Sequence, residues 1–333
     1  CEADEILLAH IAVSKFVDHL PEHRIQQMLK REQVAIPPST MNTWTQKMAE
    51  LLKLVAMQIR KEILAGKYIQ MDETTIKVLF VKKDKTHQGY MWVVVDPRTR
   101  NTYFEYREGR NRAGPRLMLK DFQGKVQSDG YVVYDVIDAE LSDIDHYNCW
   151  THARRKFIEA LTDNKAVCEH ALTLIQKLYE VEAGCRNDNC SLDERYERRQ
   201  TYSLPILESL KEWMDQQALV ITPGCPTGKA IAYCNRRWTN LIKYANTGNV
   251  EIDNNLVENA IRPLALGRKN YLFAGGHDAA VKIGYYYTVF STCKAQDVNP
   301  YDYALWYLRK INNTKITEID TLTPSAYKKL VVN

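Results

Sequence analysis

No run in the 333-residue sequence approaches the roughly 18 uncharged apolar residues that a membrane span requires. The first residues, CEADEILLAHIAVSKF, lack the basic-then-apolar layout of a secretory signal and carry acids instead. A cytoplasmic protein is therefore expected. The eight cysteines show no tight repeating spacing, so no disulfide framework is expected. Internal repeats and low-complexity tracts are absent as well. Neither sign of charge dominates, with 45 Lys and Arg against 41 Asp and Glu and a net charge of +4. The composition, 45% hydrophobic and 26% charged, excludes a disordered or fibrous class. The length leaves room for roughly two to three structural units and a sizeable core.

What is present is ordered texture. Residues 3 to 60 carry apolar positions at helical spacing (Ile6, Leu7, Ile11, Val13, Phe16, Val17). EHRIQQMLKRE gives a helix, REQVAIPP a turn, and Ser39 an N-cap for a second helix through Met41, Trp44 and Met48. This pattern suits a helix-turn-helix, whose second helix enters a DNA groove, and equally an ordinary helical hairpin. From residue 66 three β-rich runs follow, KYIQMDETTIKVLF, GYMWVVVDPRT and NTYFEYREG, joined by short polar connections at 82–88 and 98–101, as in an antiparallel meander. AGPRLMLKDF reads as a helix with Pro115 in its first turn. GKVQSDGYVVY supplies a fourth strand ending at the polar Asp129 and Gly130, and HYNCW a fifth that feeds the helix HARRKFIEAL. Three strands, helix, strand, helix, strand is the order of a ribonuclease-H-like mixed sheet. Residues 163–245 interrupt it with mainly helical sequence. EIDNNLVENAIRPLALGRKN then resumes with a helix capped near Asp253 and ended by Pro263 or the Gly267 region. Residues 280 to 312 are helical, and TPSAYKKLVVN reads as a polar extension.

The expected class is α/β. A helical DNA-binding region (1–62) precedes a ribonuclease-H-like domain (63–162 and 246–280), which holds a helical insertion (163–245) and is followed by a helical tail (281–333).

Within that order three carboxylates stand out. Asp72 lies inside the first strand among Tyr68, Ile69 and Met71, where an unpaired carboxylate is costly to bury. Asp129 closes the fourth strand, the neighbour of the first in a ribonuclease-H-like sheet, so both acids project to one spot. Hard divalent cations take carboxylate oxygens, and two Mg²⁺ ions about 3.5 to 4 Å apart activate the attacking and leaving oxygens of phosphodiester chemistry. Glu258, on the helix after the insertion, completes such a site from the flank. Taken singly, each acid is equally a solvated or capping residue; their joint position in the strand order lifts them. Glu73 is a rival that alternation turns to the opposite face, and Asp253 is better read as an N-cap.

The runs MDETTIKVL, SDGYVVYD, NCWTHARRKF and above all DNNLVENAIRPLALGRKNYLFAG resemble the DDE transposases of the insertion sequence 66 family, and the likeness covers nearly the whole chain. The resemblance implies a metal-binding triad of Asp72, Asp129 and Glu258. Spacing alone does not select Glu258, because the helical insertion lies between it and Asp129. The resemblance also implies an upstream Cys-rich, zinc-binding module, which this chain begins too late to show and which full end recognition is expected to need. Cys149 and His152 form a C-x2-H pair, as near the active site in several DDE groups. With no second pair for a zinc site, a structural or site-shaping role is expected.

Basic residues flank these acids. Arg154, Arg155 and Lys156 on one helix, and Arg262, Arg268 and Lys269 beyond Glu258, suit DNA phosphates, although each is equally a solvated charge. Asn254 and Asn255 contact DNA or support Glu258. Tyr271 stacks on a base or fills the core, Phe273 is read as core, and Arg236, Arg237 and Trp238 are weaker DNA candidates. His87 and His146 are read as surface residues. The implied activity is cleavage at insertion-sequence ends followed by joining to target DNA, using two Mg²⁺ or Mn²⁺ ions. The partners are double-stranded DNA at transposon ends and target, a second copy of the chain on DNA, and accessory proteins of the same element. A structure-selective ribonuclease-H-like nuclease and a non-catalytic DNA-binding derivative are the alternatives.

Overall fold

The computed structural model describes residues 3–80 and 85–332; Cys1 and residues 82–84 of the expected connection lie outside the described residues. The chain divides into two compact units, Cys1–Phe122 with Leu256–Asn333, and Gln123–Asn255. No helix among the described residues is long and apolar enough to cross a membrane.

The first unit opens with α1 (Glu5–Phe16), α2 (Glu22–Arg31) and α3 (Pro38–Ala65). The Asp4 carboxylate accepts the Leu7 amide at 2.8 Å and starts α1. Ile11, Ile25, Leu29, Ile36 and Met41 bury one another where the three helices meet. Ser39 does not cap α3. Pro37 stands at the cap, with no side-chain cap bond, and Pro38 in the first turn, where a preset φ and a missing N–H cost nothing. α3 continues for 28 residues, and the face carrying Met41, Thr45, Met48 and Leu52 is buried.

Three strands follow, β1 (Tyr68–Phe80), β2 (Lys85–Val95) and β3 (Thr102–Arg107). They form an antiparallel meander with Asp72 opposite Val93 and Val93 opposite Phe104. Residues 85–88, read from sequence as connection, are already strand; their polarity reflects the exposure of the strand end. α4 (Ala113–Met118) holds Pro115 in its first turn. β3 is the edge of this meander, and α12 (His277–Ala295) covers it. Thr288 and Thr292 lie one helical turn apart and accept the amides of Phe104 (3.0 Å) and Thr102 (3.1 Å), matching a two-residue strand repeat to a four-residue helix repeat. Gly284 permits the approach, because a Cβ there would lie 3.0 Å from the Phe104 carbonyl oxygen.

α11 (Asn255–Tyr271) runs through Pro263 and Gly267 instead of stopping at either. Leu264 and Gly267 are buried on it, and packing outweighs the one amide that proline removes. The helix ends where Leu272 takes the left-handed conformation, φ 64°. α13 (Pro300–Ile311) follows. The expected polar extension is a helix, α14 (Pro324–Val332), started by Thr323, whose hydroxyl accepts the Ala326 amide at 3.3 Å.

In the second unit β4 (Gly124–Ser128) and β5 (Ile144–Asn148) pair in parallel, Ser128 beside Asn148. The fourth strand stops at Ser128; Val132–Tyr134 form a 3₁₀ turn that leads into α5 (Asp135–Glu140). α6 (Trp150–Glu159) follows β5. Residues 163–245 are helical as read, in α7 (Lys165–Asn187), α8 (Leu192–Arg198), α9 (Leu204–Val220) and α10 (Pro226–Ile242). Glu182, fully buried, accepts from Arg195 at 2.9 Å and from the equally buried Arg199 at 2.7 Å. The Arg199 guanidinium also donates to the carbonyls of Tyr244 and Val250, so this ion pair fixes the loop after α10. The seven described cysteines are free. The architecture is α/β with antiparallel strands in one unit, a parallel pair in the other, and many helices.

Candidate active site

In the first unit β1 carries Asp72. Gln70 and Thr74, the residues two before and two after it, share its face of the strand. Both hold α11: the Gln70 side-chain oxygen accepts the Val257 amide at 3.4 Å, and Arg268 donates to the Thr74 hydroxyl at 2.8 Å. Arg268 also donates to the Thr75 hydroxyl at 3.0 Å and to the Thr75 carbonyl. α11 is therefore fastened along β1 at two points that straddle Asp72, and Glu258 follows directly on the first of them. Asp72 and Glu258 are both half-buried. Asp72 accepts the Glu73 amide at 2.8 Å. Glu73, buried on the opposite face as alternation requires, takes Arg110 at 2.6 Å, an ion pair that sequence reading missed.

In the second unit Asp129 follows β4, half-buried, and its carboxylate accepts the Tyr131 amide at 2.9 Å. Its carbonyl receives the Asn148 amide group at 3.1 Å and the Ser128 hydroxyl at 2.9 Å. Behind them stands His146, 2.8 Å from the Ser128 hydroxyl and 2.8 Å from the Asp138 carboxylate. Read from sequence as a surface residue, His146 is 1% exposed, because β5 turns it inward onto α5. Gly130 donates its amide to the Tyr233 hydroxyl at 3.1 Å, and a Cβ at Gly130 would collide with that ring. The Asp129 turn is thus held from β5 and α10. Burial raises the Asp138 carboxyl, yet hydrogen bonds from His146 and Asn240 and the charge of Lys243 outweigh it and keep it below its ordinary range. Cys149 is buried and its sulfur accepts the Asn254 amide at 3.4 Å; His152, half-buried, sits one turn further on.

The remaining candidates fall into two groups. Arg154, Arg155, Arg262, Lys269 and Asn255 are exposed, while Lys156 is half-buried and pairs with Glu159 at 3.1 Å. Arg268 is tied to β1 as described. Asn254 is fully buried, and Asp253, two residues before the first residue of α11, accepts the Asn255 amide at 3.1 Å. Arg237 pairs with Asp135 and is 9% exposed, which removes it from the free surface. Arg236 is exposed, and Trp238 packs edge-on against Trp150. Phe273, read as core, is 41% exposed: the turn at Leu272 carries it away from the face that α11 buries. Tyr271 is half-buried with its hydroxyl 3.2 Å from that of Tyr287. His87 is exposed, as expected. Among the described residues no group of three or more His, Cys, Asp or Glu is gathered that could hold a metal ion. Asp72 and Glu258 in the first unit, and Asp129 in the second, are each carboxylates, the donor type that a hard divalent cation takes.

Residues 1–282 match the family model described as "Transposase IS66 family". Curated relatives include three uncharacterized proteins of Sinorhizobium fredii. The chain is 30% identical to y4qI over 97% of its length, 27% identical to y4jD over 98%, and 28% identical to y4hP over 97%. It spans 62%, 66% and 62% of those proteins.

Proposed function

Since the chain belongs to the IS66 transposase family, we propose that it cuts DNA at the ends of an insertion sequence and joins the freed ends to target DNA, with Asp72, Asp129 and Glu258 as its reactive carboxylates. The observation that supports this reading is the fastening of α11, the helix of Glu258, along β1, the strand of Asp72, through Val257 and Arg268. The catalytic domain is read as ribonuclease-H-like, with the helices of 163–245 as its insertion, 1–62 as a DNA-binding region and 281–333 as a helical tail.

Two Mg²⁺ or Mn²⁺ ions held by the three carboxylates would supply Lewis acidity and a nucleophilic oxygen at neutral pH. The chain's own residues position the DNA. Exposed Arg154, Arg155, Arg262 and Lys269 hold phosphates, and Arg268 keeps α11 against β1. Attack of water on phosphorus breaks the bond to the 3′ oxygen and frees a 3′ hydroxyl. That hydroxyl then attacks a target phosphodiester, so the number of phosphodiester bonds is conserved in the joining step. Cys149 shapes the turn before α11 through the Asn254 amide. A second copy on paired ends and accessory proteins of the same element belong to the same reading.

The test is a strand-transfer assay with labelled end-sequence duplexes and a target plasmid. Joined products that depend on Mg²⁺ or Mn²⁺ are expected; cleavage without joining would identify a nuclease instead, and DNA binding without either a non-catalytic protein.

A further inference from the structure

A second concave site lies wholly within the first unit, a cavity of about 570 Å³ where α11 and α12 meet the α1–α2 connection and the β2–β3 turn. That size is within the roughly 300–1,000 Å³ of small-ligand pockets. Three cations line it, Arg100, Arg262 and Lys294, and no carboxylate does. None of the three pairs with an acid among the described residues. In a protein with nearly balanced charge, these three cations concentrate positive charge at one cavity.

Two polar groups in the wall await a partner. Ser291 is 7% exposed, and its hydroxyl makes no hydrogen bond among the described residues. The buried Nδ1 of His19 makes none either. A buried hydroxyl left unsatisfied is costly, and a polar ligand relieves the cost. Burial, assisted by the Lys294 charge and opposed by Asp18, lowers the His19 pKa, which favours a neutral ring. Its unusual left-handed backbone, φ 60°, holds it at the cavity. α11 adds the apolar side chains of Leu256, Ala260 and Pro263 to the lining. The cavity therefore offers cations, hydrogen-bonding groups and apolar side chains together.

We propose that this cavity binds one nucleotide, its phosphate held by Arg100, Arg262 and Lys294 and its base lodged against Leu256 and Pro263 with a polar edge toward Ser291 and His19. The ligand chemistry is that of a nucleoside phosphate, whether a free nucleotide or one unstacked from a DNA strand. Only the DNA source rests on the transposase reading; the cavity's chemistry stands without it.

The test is calorimetric titration of the full chain in EDTA, so that binding is scored whether or not strand cleavage is ever found. The probes are a deoxynucleoside 5′-monophosphate, the matching deoxynucleoside, inorganic phosphate and a short single-stranded oligonucleotide. The monophosphate is expected to bind at least roughly tenfold more tightly than the nucleoside or phosphate alone. Lys294→Ala and Arg100→Ala are each expected to weaken it about tenfold, and Ser291→Ala about threefold. Ser291→Ala deletes an oxygen that makes no hydrogen bond among the described residues, so its effect on binding is not a folding effect. An oligonucleotide that competes with the monophosphate and is weakened by the same variants identifies a DNA strand as the source; one that does not compete identifies the free nucleotide. A monophosphate that binds no better than phosphate, or that binds the three variants as it binds the parent chain, overturns the proposal.

Discussion

Asp129 owes its position to groups that carry none of the proposed chemistry. Its carbonyl is held by Asn148 and Ser128, and Ser128 in turn by His146 and Asp138. His146→Ala would remove one partner each from the Ser128 hydroxyl and the Asp138 carboxylate behind that turn, and we expect it to destabilise the protein by about 1–3 kcal/mol, read in urea unfolding. An unchanged midpoint would remove His146 from this framework. A larger loss is expected of Glu182→Ala, about 3–5 kcal/mol, since it leaves the fully buried Arg199 guanidinium without its counter-charge. Neither role was legible in the sequence. His146 stands in a run of polar residues, and its partner Asp138 comes from a helix that local pattern does not orient; Glu182 sits on a long helix whose facing arginines lie 13 and 17 residues on. Asp72 and Asp129 were legible as candidates because a carboxylate inside an apolar strand, or closing one, breaks the local pattern.

At the level of elements, the α11–β1 seam separates two basic residues that sequence treated alike. Arg262 is exposed, whereas Arg268 donates three hydrogen bonds to β1. Arg262→Ala is expected to reduce the salt dependence of DNA binding by about 0.9 in the log–log slope. Arg268→Ala is expected to leave that slope unchanged and to slow strand cleavage, because it loosens Glu258 relative to Asp72. Equal slopes for the two variants would make both of them phosphate contacts, or neither. The full extent of α11 was illegible for a related reason: Pro263 and Gly267 are local stop signals, and burial of Leu264 and Gly267 together with the Arg268 anchor overrides them. The meander, β4, β5 and the helices of 163–245 were legible, since alternation and helical spacing there agree with what packing demands.

The elements around β5 also set a pH dependence. Burial raises Asp138, Asp145 and Glu251, but in each case the partners prevail, His146 and Asn240, Tyr147 and Lys243, and Arg195 respectively, and hold the carboxyl below its ordinary range. A depressed carboxyl stabilises the fold above its unfolded pKa, near 4, and that contribution is lost as pH falls through the lower folded value. Asp253, raised by burial, works in the opposite sense. The urea midpoint is therefore expected to fall as the pH drops below about 4, and Asp138→Asn to flatten that fall. A midpoint that rises on acidification would show that Asp253 dominates.

Over the whole molecule the charge is nearly balanced, so the proposed binding of DNA is expected to run through local clusters and not through bulk attraction. The proposed chemistry rests on three carboxylates, Asp72 and Glu258 in the first unit and Asp129 in the second. Strand order points to Asp72 and Asp129, and the resemblance alone to Glu258, whose helix α11 is fastened to β1 through Val257 and Arg268. The most direct measurement is Mg²⁺-dependent strand transfer by Asp72→Ala, Asp129→Ala and Glu258→Ala, with DNA affinity measured on the same samples. We predict that each variant binds DNA and loses strand transfer by at least about a thousandfold, on the order of 4 kcal/mol in the barrier. Full strand transfer by any one of the three would contradict the account.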